Sequence, residues 1–308
     1  MSSELRVIGA EELRDRLPMV EAMDALEEAF RSQDPGVGPH RTHVETPAGS
    51  LLMMPAFAEN GVGVKLVTLT PGNVRRNLPF IYALYALFDA STQAPEALLD
   101  GSALTALRTA AVSGLATRFL ARPDAARLVI FGAGVQARSH LEAMCSVRAI
   151  TDLVVVSRTP EPAEGLAAEG RRLGLRAVVG RPEAVAEADL VCTCTTSSEP
   201  LFDGGILRPG THVNAVGSYH PRTRELDTET IRRARVVVET REVAFEEAGD
   251  ILIPIHEGVI GEDHVIADLA DIVRGAEVWP WRETVTVFKS VGMAFEDLVV
   301  ARAIVDAG

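Results

Sequence analysis

Apolar residues in the first third of the chain follow two different periods. Over residues 11–32 they recur at helical spacing, with Val20, Met23, Leu26 and Phe30 on one side, which predicts a helical segment. The apolar runs that follow are short and separated by turn residues, which predicts strands. These strands are expected at residues 41–45, 51–55, 62–70, 81–89 and 97–99. The pattern indicates a sheet-rich first domain without regular alternation of strands and helices.

Beyond a helix over residues 104–120 that is rich in small side chains, strands and helices alternate. Predicted strands 128–131, 153–156, 176–179 and 190–193 are interleaved with predicted helices 135–147, 162–173 and 182–187. Strands are also predicted at 211–216, 236–239 and 284–288, and helices at 260–273 and 291–307. Such alternation of wholly apolar strands with helices is typical of a parallel sheet. We therefore expect an α/β fold with a second, sheet-rich α+β domain.

A glycine-containing turn joins the first strand of this region to its helix. Gly132, Gly134 and Ala137 form the pattern G-x-G-x-x-A between strand 128–131 and helix 135–147. In a dinucleotide site the first glycine makes a tight turn, the second admits the pyrophosphate, and the small third residue lets the helix pack on the strand. Glycine also ends strands for structural reasons. The order strand, turn, helix and strand favours a Rossmann nucleotide site.

The end of the second strand indicates which nucleotide binds. An NAD site usually has Asp or Glu there, which accepts a hydrogen bond from the ribose 2′-hydroxyl. This chain has Ser157, Arg158 and Thr159 instead, and a guanidinium can pair with a 2′-phosphate through two hydrogen bonds. The alternative is an ordinary solvated arginine at a strand end. We predict NADPH as the cofactor, with NADH as the alternative.

Composition and charge argue against several classes of partner. Of the 308 residues, 47% are hydrophobic and 24% are charged, which is ordinary for a globular protein. The formal net charge of −13 argues against nucleic acid or an anionic membrane as a partner. The three cysteines lack metal-ligand spacing, so no metal site is predicted. Without a membrane-spanning apolar run or a signal-peptide pattern, the chain is expected in the cytoplasm.

Three cations occupy positions that are unusual for surface charges. Lys65 interrupts the apolar run 62–67, and Arg108 lies in a helix otherwise made of small and apolar residues. Arg41 opens the first predicted strand after a loop of glycine and proline. A buried cation needs an anion, which suggests that the three form a clamp for a substrate carboxylate. The alternatives are an edge-strand lysine that deters aggregation and an arginine paired with an internal carboxylate.

Several short stretches, in a fixed order, carry a resemblance to a known family. They are Met54-Pro55, Gly63-Val64-Lys65, Pro71-Gly72-Asn73, Ala106-Leu107-Arg108-Thr109-Ala110-Ala111, Gly132-Ala133-Gly134-Val135-Gln136-Ala137, Asn214-Ala215-Val216-Gly217, Arg224-Glu225-Leu226-Asp227 and Thr286-Val287-Phe288-Lys289-Ser290-Val291-Gly292. Over essentially its whole length the chain resembles the ornithine cyclodeaminase/mu-crystallin family. The resemblance implies a Rossmann NAD(P)-binding domain at 121–289 and a substrate-binding and dimerisation domain made from 1–120 with 290–308.

The resemblance also implies roles for individual residues. Arg41, Lys65 and Arg108 fall on the family's substrate-carboxylate positions, and Lys65 and Arg108 are the predicted catalytic residues. The family's cofactor-contacting positions correspond to Val135, Gln136, Ser157, Arg158, Thr159, Thr193, Val216 and Ser290. Together with the small-residue helix, the resemblance implies a homodimer.

Three positions depart from the ornithine cyclodeaminases of this family. Those enzymes carry an acidic residue where this chain has Leu52, and an aspartate proposed to act in ring closure where it has Tyr219. Thr223 replaces the lysine of the same loop. The side-chain ammonium of ornithine needs an anionic partner and ring closure needs a base, and Leu52 and Tyr219 provide neither. The resemblance is nearer to the ketimine and pyrroline-2-carboxylate reductases, which lack that aspartate and typically use NADPH.

These observations predict an NADPH-dependent reductase that converts Δ1-pyrroline-2-carboxylate or Δ1-piperideine-2-carboxylate to proline or pipecolate. Arg41, Lys65 and Arg108 would hold the carboxylate, Tyr219 would face the apolar ring, and positioning would do most of the catalytic work. Solvent, Lys65, Tyr219 and His220 stay open as proton donors. The alternative functions are an ornithine cyclodeaminase, an alanine dehydrogenase, and a mu-crystallin-like protein that binds NADPH or another ligand.

Overall fold

The structure is a computed structural model that describes residues 5–33, 35, 39–59, 61–76, 78–276 and 283–308. The chain divides into two units, one made of Met1–Arg108 with Met293–Gly308 and the other of Thr109–Gly292. Both ends of the chain thus contribute to one unit, and the division falls inside a single helix. The binding and dimerisation roles assigned to the domains stay a prediction.

Six strands form the sheet of the first unit. They are β1 (Arg6–Ile8), β2 (Thr42–Thr46), β3 (Gly49–Ala58), β4 (Gly61–Leu69), β5 (Ile81–Phe88) and β6 (Pro95–Asp100). Their order is β1-β6-β5-β4-β3-β2, antiparallel throughout except that β1 runs parallel to β6. The five predicted strands are confirmed with small shifts at their ends. β1 is additional, because a strand this short with one buried residue, Ile8, shows no readable period.

Helices cover one face of this sheet. They are α1 (Ala10–Arg16), α2 (Met19–Ser32), the start of α3 (Gly101–Leu120) and α10 (Ala294–Asp306), with a 3₁₀ helix at Pro71–Arg76. The segment predicted to be helical at 11–32, with Pro18 in the first turn of a second helix, forms two helices. They are separate because Leu17 precedes a proline and takes an extended backbone with φ −133° and ψ 96°. Helix α10 packs on β3, β4, β5 and α2, and the rings of Phe30 and Phe295 meet edge to face at 5.6 Å.

Eight strands form the sheet of the second unit. They are β7 (Arg127–Phe131), β8 (Asp152–Val156), β9 (Arg176–Val179), β10 (Leu190–Thr193), β11 (His212–Ala215), β12 (Ala234–Val238), β13 (Val265–Asp268) and β14 (Val285–Lys289). Their order is β13-β12-β14-β11-β10-β7-β8-β9, and all neighbours pair in parallel. The strand order switches between β7 and β10, where such sheets bind ligands at the carboxyl ends of the strands. The predicted α/β fold is confirmed.

The helices of the second unit join these strands. They are the rest of α3, α4 (Val135–Val147), α5 (Pro160–Arg172), α6 (Thr228–Arg233), α7 (Arg241–Glu247), α8 (Gly249–His256) and α9 (Leu269–Val273), with 3₁₀ helices at Pro182–Glu187, Gly204–Ile206 and Glu262–His264. The helix predicted at 260–273 is wrong, since β13 interrupts it. Burial alternates along β13 as in a half-buried strand, and a short apolar run is ambiguous between strand and helix. In the part of the chain that the structure describes, no helix is long and apolar enough to cross a membrane.

Two histidines are buried in the second unit. His140 on α4 lies between the carbonyl oxygen of Gln136 at 2.8 Å and the hydroxyl of Ser113 at 3.0 Å. His212 on β11 contacts the hydroxyl of Thr286 at 2.9 Å. Burial is the main cause that lowers the pKa of His140 to about 4 and that of His212 to about 3. Both side chains are therefore neutral in the folded protein at neutral pH.

Acidification is expected to destabilise the second unit through these histidines. In the unfolded chain their pKa is about 6.5, so stability is fully present above that pH and falls as the pH drops toward the lower values of the folded state. Each histidine contributes up to about 1.4 kcal/mol per pH unit in that window. Urea unfolding midpoints should therefore fall between about pH 7.5 and pH 5, and His140→Gln should reduce the fall. An unchanged pH dependence in that variant would refute the explanation.

Candidate active site

The turn between β7 and α4 leaves backbone amides open to a ligand. Gly132 has a φ of +100°, and a Cβ on it would lie 2.4 Å from the carbonyl oxygen of Cys194. Gly134 precedes α4 with an ordinary φ of −85°, and apart from its two chain neighbours no described residue has an atom within 4 Å of where its Cβ would stand. Among the described residues no side chain caps the N-terminus of α4, and the first turn of this helix holds no acidic residue. These features fit a pyrophosphate bound at the positive end of the helix.

A cavity of about 570 Å³ adjoins this turn, a volume within the usual range of ligand sites. Residues 132–134, 157–159 and 195–197 contribute to its lining, at the carboxyl ends of β7, β8 and β10. Among the predicted cofactor residues, those that line the cavity are Gly132, Gly134, Ser157, Arg158 and Thr159. The cavity therefore lies at the switch point of the sheet, where a dinucleotide is expected.

Arg181 is a cavity residue that the sequence analysis did not select. It follows β9, which pairs with β8, and it lines the same cavity as Arg158. The carboxyl ends of adjacent parallel strands lie at one edge of a sheet, so the position of Arg181 just after a predicted strand was a usable signal. Two arginines, Arg158 and Arg181, thus line the cavity together with Ser157 and Thr159.

The other predicted cofactor residues, Val135, Gln136, Thr193, Val216 and Ser290, do not line this cavity. Val135 and Gln136 lie in the first turn of α4, and the side chain of Val135 is largely exposed. Thr193, Val216 and Ser290 end or follow β10, β11 and β14, which are neighbours in the sheet. Their contact with a cofactor stays a prediction.

Buried carboxylates already engage two of these hydroxyl groups. Thr193 donates to Glu225 at 2.7 Å, and Ser290 donates to Glu239 at 2.6 Å. Glu239 also accepts the N–H groups of Val291 and Gly292. The carboxyl edge of the second sheet is therefore built on internal carboxylates, which the sequence analysis did not single out.

In the first unit, Lys65 and Arg108 meet at one buried carboxylate. The Nζ atom of Lys65 lies 2.8 Å from Oδ1 and 2.6 Å from Oδ2 of Asp297. Arg108 donates from Nε to Asp297 at 3.0 Å and from Nη1 to Glu296 at 2.7 Å. These four side chains are at most 6% exposed. Helix α10 thus brings two of the three predicted substrate cations together. It also pairs Arg108 with internal carboxylates, which is one of the alternatives that the sequence analysis left open.

The electrostatic environment of Lys65 differs from that of a surface lysine. Burial is the largest cause that lowers the pKa of Lys65 to about 8, Asp297 opposes it, and the charges of Arg108 and Arg41 add to it. Arg41, half-buried just before β2, is therefore close enough to Lys65 for their charges to interact. A lysine with such a pKa can give up a proton near neutral pH.

Glu296 and Asp297 are functional candidates that the sequence analysis missed. They stand side by side in the apolar run of α10, much as Lys65 stands in the apolar run of β4. A charge inside an apolar run must be paired or exposed, so the same argument that selected the cations could have selected these acids. Their carboxylates balance the cations inside the first unit.

A buried phenol adjoins this cluster. Tyr85 pairs with Lys65 across β4 and β5, and its hydroxyl has no hydrogen-bond partner among the described residues. Burial, followed by the charge of Asp297, raises the pKa of Tyr85. A Cβ on Gly63 would lie 2.0 Å from the hydroxyl, so Gly63 makes room for it.

Of the three positions that depart from the cyclodeaminases, Leu52 is apolar and buried, Tyr219 is exposed, and Thr223 is partly buried in the structure. Leu52 is buried with Met54 and Val67 on the face of the first sheet that carries Lys65. Tyr219 follows β11 in the second unit, and 39% of it is exposed. Leu52 therefore adds no charge to the surroundings of the buried cations.

Comparison with known proteins identifies the family. The sequence profile of the ornithine cyclodeaminase/mu-crystallin family matches residues 4–307. The chain belongs to this family. The resemblance predicted from the sequence motifs is thereby confirmed.

Relatives within the family include reductases and dehydrogenases. The ketimine reductase mu-crystallin of Rattus norvegicus is 39% identical over 312 residues, covering 97% of this chain and 96% of the relative. Among solved structures, Thermococcus litoralis Δ1-pyrroline-2-carboxylate reductase in complex with NADH and L-proline is 39% identical. Its TM-score is 0.91, with 98% of this chain and 97% of that chain covered. An archaeal alanine dehydrogenase dimer with bound NAD is 32% identical with a TM-score of 0.93, over 99% and 96% of the two chains.

Proposed function

We propose that this protein is an NAD(P)H-dependent oxidoreductase that reduces cyclic imino acids. Its substrates are Δ1-pyrroline-2-carboxylate or Δ1-piperideine-2-carboxylate, and its products are proline or pipecolate. The names of two relatives, a Δ1-pyrroline-2-carboxylate reductase and a ketimine reductase, support this class of reaction. The observation that carries the proposal is the burial of apolar Leu52 on the sheet face that holds Lys65.

The apolar position of Leu52 disfavours ornithine as a substrate. Ornithine carries a second ammonium group, which needs an anion when it leaves water. Asp297 and Glu296 are already bonded to Lys65 and Arg108, and Leu52 supplies no further carboxylate. An uncompensated buried charge costs several kcal/mol. A cyclic imino acid brings an apolar ring instead, which Leu52 accommodates.

The proposed mechanism relies on charge matching and positioning. The nicotinamide cofactor, when bound, supplies the hydride that reduces the C=N carbon. Arg41, Lys65 and Arg108 carry three positive charges against the two carboxylates of Asp297 and Glu296, so the group attracts one further carboxylate. The three cations hold the substrate carboxylate and so orient the ring. Lys65 is also the preferred proton source for the ring nitrogen, because its pKa of about 8 matches the operating pH better than that of an ordinary lysine. Tyr219 is assigned to the apolar side of the ring.

The proposal distributes these roles between the two parts of the chain. Substrate binding and dimerisation belong to the part made of 1–120 with 290–308, and cofactor binding to 121–289. The residues assigned to cofactor binding are Gly132, Gly134, Val135, Gln136, Ser157, Arg158, Thr159, Thr193, Val216 and Ser290. The open space at Gly134, in the turn between β7 and α4, and the adjoining cavity support this assignment.

A comparison of substrates tests the function. Δ1-Pyrroline-2-carboxylate should oxidise NADPH, followed as the loss of NADPH absorbance, and chromatography should find proline. L-Ornithine with NAD should release no ammonia above background. Proline formed from ornithine would support a cyclodeaminase, and alanine formed from pyruvate and ammonia as the best reaction would support an alanine dehydrogenase. No turnover of any imino acid would favour a ligand-binding protein.

NADPH is expected to be preferred over NADH, through two arginines. Arg158 and Arg181 line the cavity together, and a charge-assisted hydrogen bond to a phosphate is worth about 1.5–3 kcal/mol. Arg158→Ala and Arg181→Ala should therefore each lower the NADPH/NADH ratio of kcat/KM by about tenfold or more. Arg172→Ala, which alters an exposed arginine at the end of α5, is the control. Equal use of both cofactors by the unaltered protein would reject the preference.

A homodimer is the proposed assembly. On the face of the first sheet opposite Lys65, Phe57, Tyr82 and Leu84 are 53%, 47% and 42% exposed. An apolar face of this kind is typical of an interface, and the related archaeal alanine dehydrogenase is a dimer. Light scattering should give a dimer mass that Leu84→Glu converts to a monomer. A glutamate in place of Val178, which is 55% exposed on β9, should leave the dimer intact.

Residence in the cytoplasm belongs to the same proposal. Cys145, Cys192 and Cys194 are free thiols, and burial raises the pKa of each. Unpaired, unreactive thiols are typical of proteins in a reducing compartment. The partners proposed are an imino or amino acid and a second copy of the chain, without nucleic acid or membrane.

A further inference from the structure

One carboxylate organises the carboxyl edge of the second sheet. Glu225 is fully buried and accepts four hydrogen bonds, from the Thr193 hydroxyl, the Gly217 N–H, and both the N–H and the hydroxyl of Thr195, all at 2.6–2.7 Å. Two of the donors are backbone N–H groups, which cannot act as acceptors. Burial and the charge of Asp250 raise the pKa of Glu225, whereas the charge of Lys289 and the hydrogen bonds from Thr195 and Thr193 lower it. The two backbone N–H groups hold one carboxylate oxygen each and favour the ionised form.

A second carboxylate and a lysine complete the cluster. Oδ1 of Asp250 accepts the N–H groups of Glu225 and Leu226 at 2.8 Å. Its Oδ2 lies 2.9 Å from Nζ of Lys289, and both side chains are 0% exposed. The same Nζ donates to the carbonyl oxygen of Ser218 at 2.5 Å. Two negative charges thus face one positive charge, and one negative charge is left over.

The cluster lies directly behind the nucleotide cavity. Thr195 lines that cavity and donates twice to Glu225. A Cβ on Gly217 would lie 2.1 Å from the carbonyl oxygen of Thr195 and 2.5 Å from Glu225, so the absence of a side chain there allows the close approach. The excess negative charge is therefore separated from the cavity by one residue.

We propose that the net negative charge of Glu225, Asp250 and Lys289 strengthens the binding of the oxidised nicotinamide cofactor relative to that of the reduced form. A neutral cluster would not give the oxidised form this advantage. The inference rests on the proposed function and deepens it, because it assigns these residues an electrostatic role in hydride donation. Glu225 is a positioning residue, since it acts through Thr195 and through its charge.

The physical basis is the charge difference between the two forms of the cofactor. The oxidised nicotinamide ring carries one positive charge that the reduced ring lacks, so a nearby negative charge attracts the oxidised form selectively. The cluster is screened little by solvent, because its three side chains are buried. A unit charge about 10 Å away in an effective dielectric of about 20 changes an affinity by roughly tenfold. Because hydride transfer to the imine converts the reduced cofactor to the oxidised one, tighter binding of the oxidised form favours this transfer.

The test measures the dissociation constants of NADP⁺ and NADPH without substrate, by titration calorimetry. Glu225→Gln removes the excess charge, and we expect the ratio of Kd for NADP⁺ to Kd for NADPH to rise by roughly tenfold. Asp250→Asn changes the net charge in the same direction and serves if Glu225→Gln does not fold. Circular dichroism identifies the folded variants.

A charge-neutral double variant separates electrostatics from structure. Asp250→Asn combined with Lys289→Met removes the ion pair and the bond to Ser218 but keeps one excess negative charge on Glu225. Its Kd ratio should equal that of the unaltered protein. A ratio that changes in the double variant, or that stays constant in Glu225→Gln and Asp250→Asn, would overturn the inference while the reductase proposal stands. Failure of the unaltered protein to bind either nucleotide would overturn both.

Discussion

Lys65→Met is expected to lower imine reduction by about a thousandfold or more. A carboxylate contact of Lys65 contributes about 1.5–3 kcal/mol, and a general acid contributes a further 10²–10⁴-fold, roughly. Nucleotide affinity should stay unchanged, because the cavity beside Gly134 belongs to the other unit. The measurements are kcat/KM for Δ1-pyrroline-2-carboxylate and the Kd of NADPH. Activity within tenfold of the unaltered protein would show that Lys65 has no part in the reaction.

The same substitution is expected to destabilise the first unit. It leaves Asp297 with Arg108 alone, and removing one member of a buried ion pair costs about 3–5 kcal/mol. Lys65→Met combined with Asp297→Asn removes both charges and should recover most of the stability but none of the activity. If the double variant regains activity, the activity lost in Lys65→Met is due to misfolding and not to a missing chemical role of Lys65. Thermal unfolding of both variants supplies the comparison.

Gly134→Val is expected to abolish nucleotide binding without disturbing the fold. The φ of Gly134 is −85°, which valine adopts freely, and apart from the two chain neighbours no described residue has an atom within 4 Å of the new Cβ. The added methyl groups would occupy the space where the pyrophosphate approaches the backbone. We expect an unchanged melting temperature and a Kd for NADPH raised by about a hundredfold or more, equal to the loss of two charge-assisted hydrogen bonds.

Gly132→Ala is the matched comparison in the same turn. Its φ of +100° and the 2.4 Å approach to the Cys194 carbonyl make a side chain there strained as well as crowded. This variant should lose stability, whereas Gly134→Val loses only the ligand. If Gly134→Val binds NADPH normally, the phosphates lie elsewhere and the assigned cofactor site is wrong.

The fold of the second unit could be predicted from the sequence because its signals are local. The turn after β7 needs a glycine at a positive φ, and α4 begins and ends at the predicted residues. Parallel strands buried on both faces give apolar runs that are easily recognised. Prediction failed at β13, where a short alternating run lies between helical segments and its period is ambiguous.

Only the cations of the ion cluster in the first unit were predicted from the sequence, and their acidic partners were not. Lys65 and Arg108 are conspicuous in apolar surroundings, so the need for an anion follows from the sequence. Glu296 and Asp297 are equally conspicuous in the apolar run of α10. Asp297 lies 232 positions from Lys65 along the chain, however, so no local pattern shows that these two side chains pair. The position of Arg181 just after a predicted strand was a usable signal, but its place in the same cavity as Arg158 depends on the pairing of β8 with β9.

Helix α10 is the last element of the chain, and this position affects the order in which the two units fold during synthesis. The sheet from β1 to β6 emerges from the ribosome with Lys65 and Arg108 but without Asp297 and Glu296, which follow the whole of the second unit in the chain. Until then the cations stay hydrated, and the sheet cannot bury the face that bears them. The first unit therefore matures last, although translation begins with it, and a chain stalled before α10 should be an aggregation-prone substrate for chaperones.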